Sequence, residues 1–355
     1  MIWLTWRQFR AQAVTAFAAL AAFAALLAVT GPHLASLYAA GGISRCQGSG
    51  CRGLANSFLI QLDADRTYSA LYLLGIVIIL IAPGLIGIFW GAPLVARELE
   101  AGTHNLAWNQ SITRTRWLAV KLTLTGVAAM AVTEALSLVQ SWWAAPIGLA
   151  VGSGGSAGRG SLISMGQFSP LVFATHGITP LAYAAFAFAL GVTAGVHIRH
   201  AVPAMAITLA VFAGIQLAMP LWIRPHLFPP DHAILTLGSV SDIGFQESIR
   251  PAGAGQSRGT FTFSAGGLSS QPGAWVLSSE AVDAAGSPVS TLPAACTQAD
   301  TGHPDCLASN GVRVAVTYQP ASRYWTFEWT ETAIYLAFAL ALAGYCLWLL
   351  GRRLT

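Results

Sequence analysis

The sequence predicts an all-α polytopic membrane protein with six transmembrane helices and a small strand-containing extracytoplasmic domain between helices 5 and 6. Of its 355 residues, 55% are hydrophobic and only 9% are charged, whereas about a quarter of the residues of a soluble protein are charged. Several apolar runs reach the roughly 17 to 20 residues that a helix needs to cross the hydrocarbon. Nearer the C-terminus, short segments of alternating apolar and polar residues predict half-buried strands.

Six apolar runs are predicted to be the transmembrane helices, because backbone polar groups inside lipid must be satisfied within the segment. In chain order they cover about residues 13–29, 70–95, 120–145, 170–196, 201–221 and 333–350. Ahead of the first run, residues 1–12 interleave aromatic residues with Arg7 and Arg10, which predicts an interfacial lead-in helix. A cleaved secretory signal peptide is the alternative for this segment, and the later spans make it unnecessary.

The distribution of basic residues predicts that both ends of the chain lie in the cytoplasm. Short connections decide the orientation, because long loops cross the membrane largely regardless of charge. With the N-terminus inside, nine of the 18 Lys and Arg residues fall in short inner segments: Arg7, Arg10, Arg97, Arg114, Arg116, Lys121, Arg199, Arg352 and Arg353. We therefore expect a multi-pass protein of the cell membrane.

Residues 224–328 are rich in Gly, Ser, Pro and Thr and are predicted to form the extracytoplasmic domain. Residues 13–223 would then hold the first five helices, and residues 329–355 the sixth helix with a cytoplasmic tail. Four aromatic residues mark the end of the domain, which is typical of an interfacial belt, with a ligand-stacking cluster as the alternative. They are Tyr324, Trp325, Phe327 and Trp329.

Four cysteines fall in segments predicted to lie outside, where disulfides form and persist. They allow three pairings, and proximity in sequence favours Cys46–Cys51 and Cys296–Cys306. The fifth cysteine, Cys346, lies in the last apolar run and is expected to be a small buried hydrophobic residue. Spacings of five and ten residues do not match a zinc site, so no metal site is predicted.

Glu134 lies within the third run, where an ionisable group costs roughly 2.5 to 3.5 kcal/mol on insertion scales. It is expected to face a cavity or a partner group. One interpretation is a substrate-contact or gating residue of a transport pathway. The other is a structural carboxyl group that is neutral or hydrogen-bonded to Ser137, Thr133 or a neighbouring helix. His176, near the outer part of the fourth run, is a further pathway candidate.

The segment between the second and third runs, residues 96–118, is the most informative one for function. It begins with a charged shoulder, continues with a short apolar stretch too brief to span a membrane, and ends with basic residues at the inner interface. The residues concerned are Arg97, Glu98, Glu100, Gly102, Thr103, Leu106, Trp108, Arg114 and Arg116. An acidic shoulder fits poorly with anionic inner-leaflet lipids, so a protein partner is the better explanation.

In these residues the sequence resembles the permease subunits of type-2 ABC transporters, particularly those of the actinobacterial ABC-2 family. In that family the first cytoplasmic loop carries an acidic residue followed by Gly-Thr, then a hydrophobic segment, then basic residues that open the next helix. The matching segments here are ELEAGT (98–103), LAW (106–108) and RTRWLAVK (114–121), with further similarity in MIWLTWRQFRAQ (1–12) and YQPASRYWTFEW (318–329). The domain before the last helix departs from the small loop that is common in the family.

The resemblance implies a coupling helix near Glu98 to Trp108, within the loop 96–118, that docks into a groove on a separate ABC-type ATPase subunit, which binds ATP and Mg²⁺. It also implies a second permease copy or a paralogue within the lipid bilayer. The chain itself has no GxxxxGK[ST] phosphate loop. We therefore expect a transport subunit without catalytic residues or a cofactor of its own, and no nucleic-acid partner.

The implied function is ATP-driven efflux of an amphipathic compound, which is a drug, an antibiotic, a peptide or a lipid-like molecule. The alternative is a membrane-anchored sensor or assembly protein whose external domain binds a ligand or a cell-envelope component. A third hypothesis is an ion-coupled transporter with Glu134 as the proton carrier. Such transporters ordinarily show internal repeats, and no convincing repeat is present in the sequence.

Overall fold

A computed structural model of the chain describes residues 2–46, 51–100, 114–158, 160–237, 240–252, 256–268, 272–289 and 304–352. Within these ranges, six helices are long and apolar enough to cross a membrane. They run over Arg10–Ala40, Arg66–Glu98, Arg116–Gly152, Thr179–Ile198, Ala201–His226 and Ala321–Leu349. The prediction of a mostly helical protein with six candidate transmembrane helices is confirmed.

The helices of the described residues are numbered here in chain order. They are α1 (Ile2–Ala40), α2 (Cys51–Ala64), α3 (Arg66–Ile86), α4 (Ala92–Glu100), α5 (Arg114–Gly152), α6 (Pro170–Phe173), α7 (Thr179–Ile198), α8 (Ala201–Ala218), α9 (Pro304–Ser309) and α10 (Tyr324–Arg352). A π-helical segment, Gly87–Gly91, joins α3 to α4 in the second span, and another, Met219–Ile223, extends α8 in the fifth span. The predicted lead-in segment continues without a break into the first run, because both belong to α1.

The predicted fourth run, 170–196, is divided in the structure into the short helix α6 and the span α7. The side chain of Ser169 caps α6. In the α6–α7 connection (residues 174–178), Gly177 has a φ of +68°, a left-handed conformation that favours glycine. The fourth span therefore begins at Thr179, and Pro180 fits its first turn because an N–H there would have no helical acceptor.

The second and fourth spans cross at backbone contact through two Gly-xxx-Gly pairs, Gly87/Gly91 and Gly191/Gly195. A Cβ atom placed on Gly191 would lie 2.2 Å from the Gly87 carbonyl oxygen, and one on Gly91 would lie 2.5 Å from the Phe188 carbonyl oxygen. Small residues at this spacing let helix backbones approach closely in lipid. The crossing joins the π-helical part of the second span to α7.

A small strand region is present, with β1 (Asp231–Thr236), β2 (Val240–Ala252), β3 (Gln256–Leu268), β4 (Trp275–Val282) and β5 (Arg313–Gln319). These strands form a three-stranded sheet in the order β1-β5-β4 and a β2–β3 ribbon, and all the pairs are antiparallel. Val314 and Val316 of β5 are buried in a core with Leu237 and Leu307. Their alternation is the strand period that the sequence predicts.

The structure contains the predicted disulfide between Cys46 and Cys51, which links the end of α1 to the start of α2. Cys306 is also disulfide-bonded. The predicted partner Cys296 lies outside the described residues, so that pairing stays a prediction. Cys346 is 1% exposed, as expected of a small buried residue, and its sulfur lies 3.3 Å from the Thr193 hydroxyl oxygen.

Candidate functional site

Two clusters of charged side chains lie at opposite ends of the helical bundle. We call one end the loop end, where α4 stops at Glu100 and α5 starts at Arg114, and the other the strand end, where the strand region follows the fifth span. Four of the predicted coupling residues lie outside the described residues, and Arg114 is described only as the first residue of α5. These four are Gly102, Thr103, Leu106 and Trp108.

At the loop end, Glu98 forms an ion pair with Lys121 that ties α4 to α5. Lys121 is 4% exposed, and its Nζ lies 4.4 Å from the centre of the Trp117 ring. A buried ammonium group requires a counter-charge because its removal from water is costly. The pair therefore holds the helix that enters the loop against the helix that leaves it.

Glu100, the last residue of α4, contacts the first turn of α8. Its Oε1 accepts a hydrogen bond from the Ala201 N–H at 3.0 Å and lies 3.3 Å from His200 Nδ1. A carboxylate at a helix N-terminus is stabilised by the free N–H groups and by the helix dipole. Arg97 and Arg116 are exposed at the same end. The loop is thus anchored to the second, third and fifth spans.

At the strand end, Arg224 and Glu331 form a buried ion pair, in which the residues are 1% and 0% exposed. Arg224 donates from Nε to Glu331 Oε2 at 2.8 Å and from Nη2 to Oε1 at 3.0 Å, the bidentate arrangement that suits these groups. Tyr183 donates to the same Oε1 at 2.5 Å. The guanidinium also lies 3.9 Å from the centre of the Phe173 ring. This cluster joins the fourth, fifth and sixth spans.

A second buried carboxylate, Glu328, lies one turn before Glu331 on α10 and caps the fourth span. Its Oε2 accepts from the Ile178 N–H at 3.0 Å, and its Oε1 accepts from the Tyr324 hydroxyl at 2.8 Å. A Cβ atom on Gly177 would lie 2.5 Å from Glu328 Oε1. Gly177 is therefore required both for its positive φ and for the space that the carboxylate occupies.

Arg224, Glu328 and Glu331 are not among the sequence-predicted site residues. The last apolar run begins near residue 333, and composition assigns Arg224 to the external domain, so none of the three falls within a predicted helix core. One feature of the sequence could have identified Glu328 and Glu331 as candidate site residues. They stand three residues apart, on one helix face, directly before an apolar run, where ionisable groups are expected to be paired or functional.

The four aromatic residues predicted as an interfacial belt divide between core and surface. Phe327 is fully buried, and Trp275 of β4 packs edge-on against it with 6.2 Å between ring centres. Tyr324 points inward to Glu328. Trp325 and Trp329 are 57% and 63% exposed, and these two have the position expected of belt residues. The inward pair anchors the strand region to the helices.

A cavity of about 380 Å³ lies between the second and fifth spans, beside the Arg224–Glu331 pair. Its lining is mostly apolar and includes Leu80 and Leu85 of α3 and Phe212 of α8. Arg224 Nη1 is buried and has no hydrogen-bond partner among the described residues. The cavity thus combines mostly apolar walls with a buried charge pair at its edge.

The structure places the two predicted pathway residues on different elements. Glu134 is half-buried in the middle of α5, and its Oε2 is buried with no hydrogen-bond partner in the described part of the chain. Thr133 and Ser137, the suggested partners, donate to backbone carbonyls instead. His176 lies in the α6–α7 connection, with its Nδ1 3.0 Å from the Val172 carbonyl oxygen. Among the described residues, no group of three or more His, Cys, Asp or Glu side chains is placed to hold a metal ion.

Six apolar helices, with charged groups paired at both ends of the bundle, define a multi-pass membrane protein. The model of the ABC-2 membrane transporter related family matches residues 17–224, more than half of the chain. The chain belongs to this family, and the resemblance seen in the loop residues is confirmed. The matched region reaches from the first span to Arg224 at the end of the fifth span. Searches of curated proteins and of solved structures found no significant match.

Proposed function

We propose that the chain is the transmembrane permease subunit of an ATP-driven exporter that moves an amphipathic compound outward. Besides family membership, the observation that carries this proposal is the anchored loop. Glu98 and Glu100, from which the loop leaves α4, are bound to α5 and α8. A force applied to the loop would reach these helices directly. Since the sequence has no phosphate loop, ATP and Mg²⁺ bind to a separate ABC-type ATPase in this proposal.

The proposed orientation places both termini and the loop end in the cytoplasm, and the strand region outside. The concentration of basic residues in the short inner segments supports it. The disulfide between Cys46 and Cys51 supports it too, because it follows α1 at the end away from the N-terminus, and disulfides persist on the oxidising side.

An amphipathic cargo is supported by the cavity between the second and fifth spans, which has mostly apolar walls and the Arg224–Glu331 pair at its edge. Glu134 and His176 are proposed pathway residues. A half-buried carboxylate in a membrane helix is expected to face a cavity or a partner group, and Glu134 Oε2 has no partner among the described residues. Six spans are half of a typical pathway, so a second permease copy or a paralogue completes the transporter.

Purification of the tagged chain from its native host in mild detergent is expected to recover an ABC-type ATPase in about equal amount. The reason is that the chain needs a separate subunit to bind ATP. Mass spectrometry of the purified complex identifies the partner. If no ATPase is recovered under conditions that preserve membrane complexes, the exporter proposal fails and the sensor or assembly alternative gains support.

The double variant Glu98→Gln/Glu100→Gln is expected to recover about tenfold less ATPase per permease, equivalent to roughly 1.4 kcal/mol of binding. The loop would lose the two carboxylates that anchor it to α5 and α8. Membrane insertion should be unchanged, because neither residue lies in the middle of a span. Glu280→Gln, the same change at an exposed carboxylate of β4, is the matched control. Full ATPase recovery and transport by the double variant would exclude this coupling element.

A further inference from the structure

The third span carries a row of polar side chains whose hydrogen-bonding atoms are buried and unpaired. Among the described residues, six buried side-chain atoms have no partner, and four of these belong to α5. They are Glu134 Oε2, Gln140 Nε2 and Oε1, and Ser141 Oγ. Buried polar atoms in folded proteins are nearly always hydrogen-bonded, so their concentration on one helix indicates a polar occupant.

This row faces the interior of the protomer. Ser137, whose hydroxyl is hydrogen-bonded, lies three residues after Glu134 and four before Ser141. These three side chains therefore share one face of α5. The Ser137 hydroxyl lies 3.0 Å from the Gly177 carbonyl oxygen and 3.3 Å from that of Thr175. Since both carbonyls belong to the α6–α7 connection, the polar face of α5 is directed at that connection.

Gln140 closes the other side of this region against α3. The residue is fully buried, and a Cβ atom on Gly75 would lie 2.2 Å from Gln140 Oε1. The amide group is therefore enclosed between the second and third spans. Its donor and its acceptor have no hydrogen-bond partner among the described residues.

A cavity of about 250 Å³ meets this polar row at Ser141 and is bounded by α3, α5 and the α6–α7 connection. Its polar lining consists of Tyr72, Ser141, Gln167, His176 and Tyr324. Pro272 and Gly273, which precede β4, belong to the same lining, so the cavity reaches the strand end. A water molecule occupies about 30 Å³ in the liquid and needs two to four polar partners, so the cavity can hold several.

The chemistry of the lining selects a neutral occupant. None of the described residues that line this cavity is Asp, Glu, Lys or Arg, the residues that recognise charged groups by pairing. His176 directs Nδ1 to the Val172 carbonyl, which leaves Nε2 as an acceptor in the neutral ring. Together with the hydroxyl groups of Ser141 and Tyr72, the wall offers both donors and acceptors.

We propose that this cleft, enclosed within one protomer by α3, α5 and the α6–α7 connection, is a water-filled site for a small, neutral, hydrogen-bonding solute or head group. It opens at the strand end, and Ser141, Tyr72 and His176 of its wall bind the occupant through their polar groups. The inference depends on the proposed function only in naming the strand end as the outer side.

Cysteine labelling tests the cleft in the full chain, in a parent that carries Cys346→Ala. Ser141→Cys is compared with Leu138→Cys and Leu149→Cys, since these leucines bracket it on α5 and are 59% and 60% exposed on the bundle surface. Ser278→Cys, at an exposed position of β4, marks the strand end. The probe is membrane-impermeant sulfonatoethyl methanethiosulfonate, applied to intact cells and to inside-out vesicles.

We expect Ser141→Cys to react at least about tenfold faster than either leucine position, because thiolates form in water and not in lipid. It should react only from the side that labels Ser278→Cys. If Ser141→Cys reacts no faster than Leu138→Cys and Leu149→Cys, the proposal of a water-filled cleft is refuted. Labelling needs no ATPase, so the result holds even if no ATPase is recovered with the chain. If Ser278→Cys is labelled only from the inside, the proposed orientation is refuted, but the cleft is not.

The neutral character of the site has its own test. Each reagent's rate at Ser141→Cys is divided by its rate at the exposed Ser278→Cys. This ratio should be larger for the neutral hydroxyethyl methanethiosulfonate than for the anionic sulfonate reagent. A preference for the sulfonate would overturn the assignment of a neutral occupant. Adding Tyr72→Phe should slow labelling of Ser141→Cys, because the wall would lose a hydroxyl group that holds water. An unchanged rate in a folded protein would remove Tyr72 from the site.

Discussion

Replacing Arg224 with methionine is expected to lower the free energy of unfolding by about 3 to 5 kcal/mol. The change leaves Glu331, which is fully buried, without the guanidinium that donates to both of its oxygens. An uncompensated buried charge costs much more than a lost surface ion pair, because water cannot take the place of the missing partner. The melting temperature of the purified protein in detergent measures the effect.

Two further variants test whether the loss of stability in Arg224→Met arises because the Arg224–Glu331 pair is buried and because one charge is left without its partner. Asp231→Asn removes the partly exposed carboxylate that pairs with Arg323 at 3.1 Å, and it should cost at most about 1 kcal/mol. The double variant Arg224→Met/Glu331→Leu removes both buried charges and should restore most of the stability. If Arg224→Met melts at the same temperature as Asp231→Asn, the pair does not stabilise the fold. A stable double variant that no longer transports would assign the pair to transport.

Gly191→Ala is expected to destabilise the protein by about 1 to 3 kcal/mol through overpacking. The new Cβ atom would lie 2.2 Å from the Gly87 carbonyl oxygen and 2.8 Å from the Ala92 nitrogen. Both neighbours are backbone atoms and cannot rotate away as a flexible side chain can, so α7 and the π-helical segment must move apart. The same melting assay and the amount of protein in the membrane report the change.

Gly214→Ala is the matched control for this prediction. Gly214 lies in α8, and beyond the adjacent residues and backbone of its own helix no atom of the described residues stands within 4 Å of the position that its Cβ would occupy. Because alanine is favoured over glycine in helices by about 0.8 to 1 kcal/mol, this variant should be neutral or more stable. Equal melting temperatures for the two variants would contradict the close crossing of the second and fourth spans.

The strand end shows how much of the site could be predicted from the sequence. The aromatic residues before the last span were identifiable by position, yet Phe327 is buried and Trp325 is exposed, because one face of α10 packs on the helices and the other does not. The glutamate spacing on α10 and the two Gly-xxx-Gly pairs are visible in the sequence. Their partners are not, since Glu331 binds a residue 107 positions away.

The sequence by itself determined that the chain has six candidate transmembrane helices and a small strand region. It could do so because a span must satisfy its own backbone hydrogen bonds in lipid, which makes crossing a property of each local segment. Only the tertiary structure decided that Glu98 pairs with Lys121 and that Arg224 pairs with Glu331. A buried charge is stabilised by whichever opposite charge the packing of the helices brings to it, and that packing depends on the whole chain.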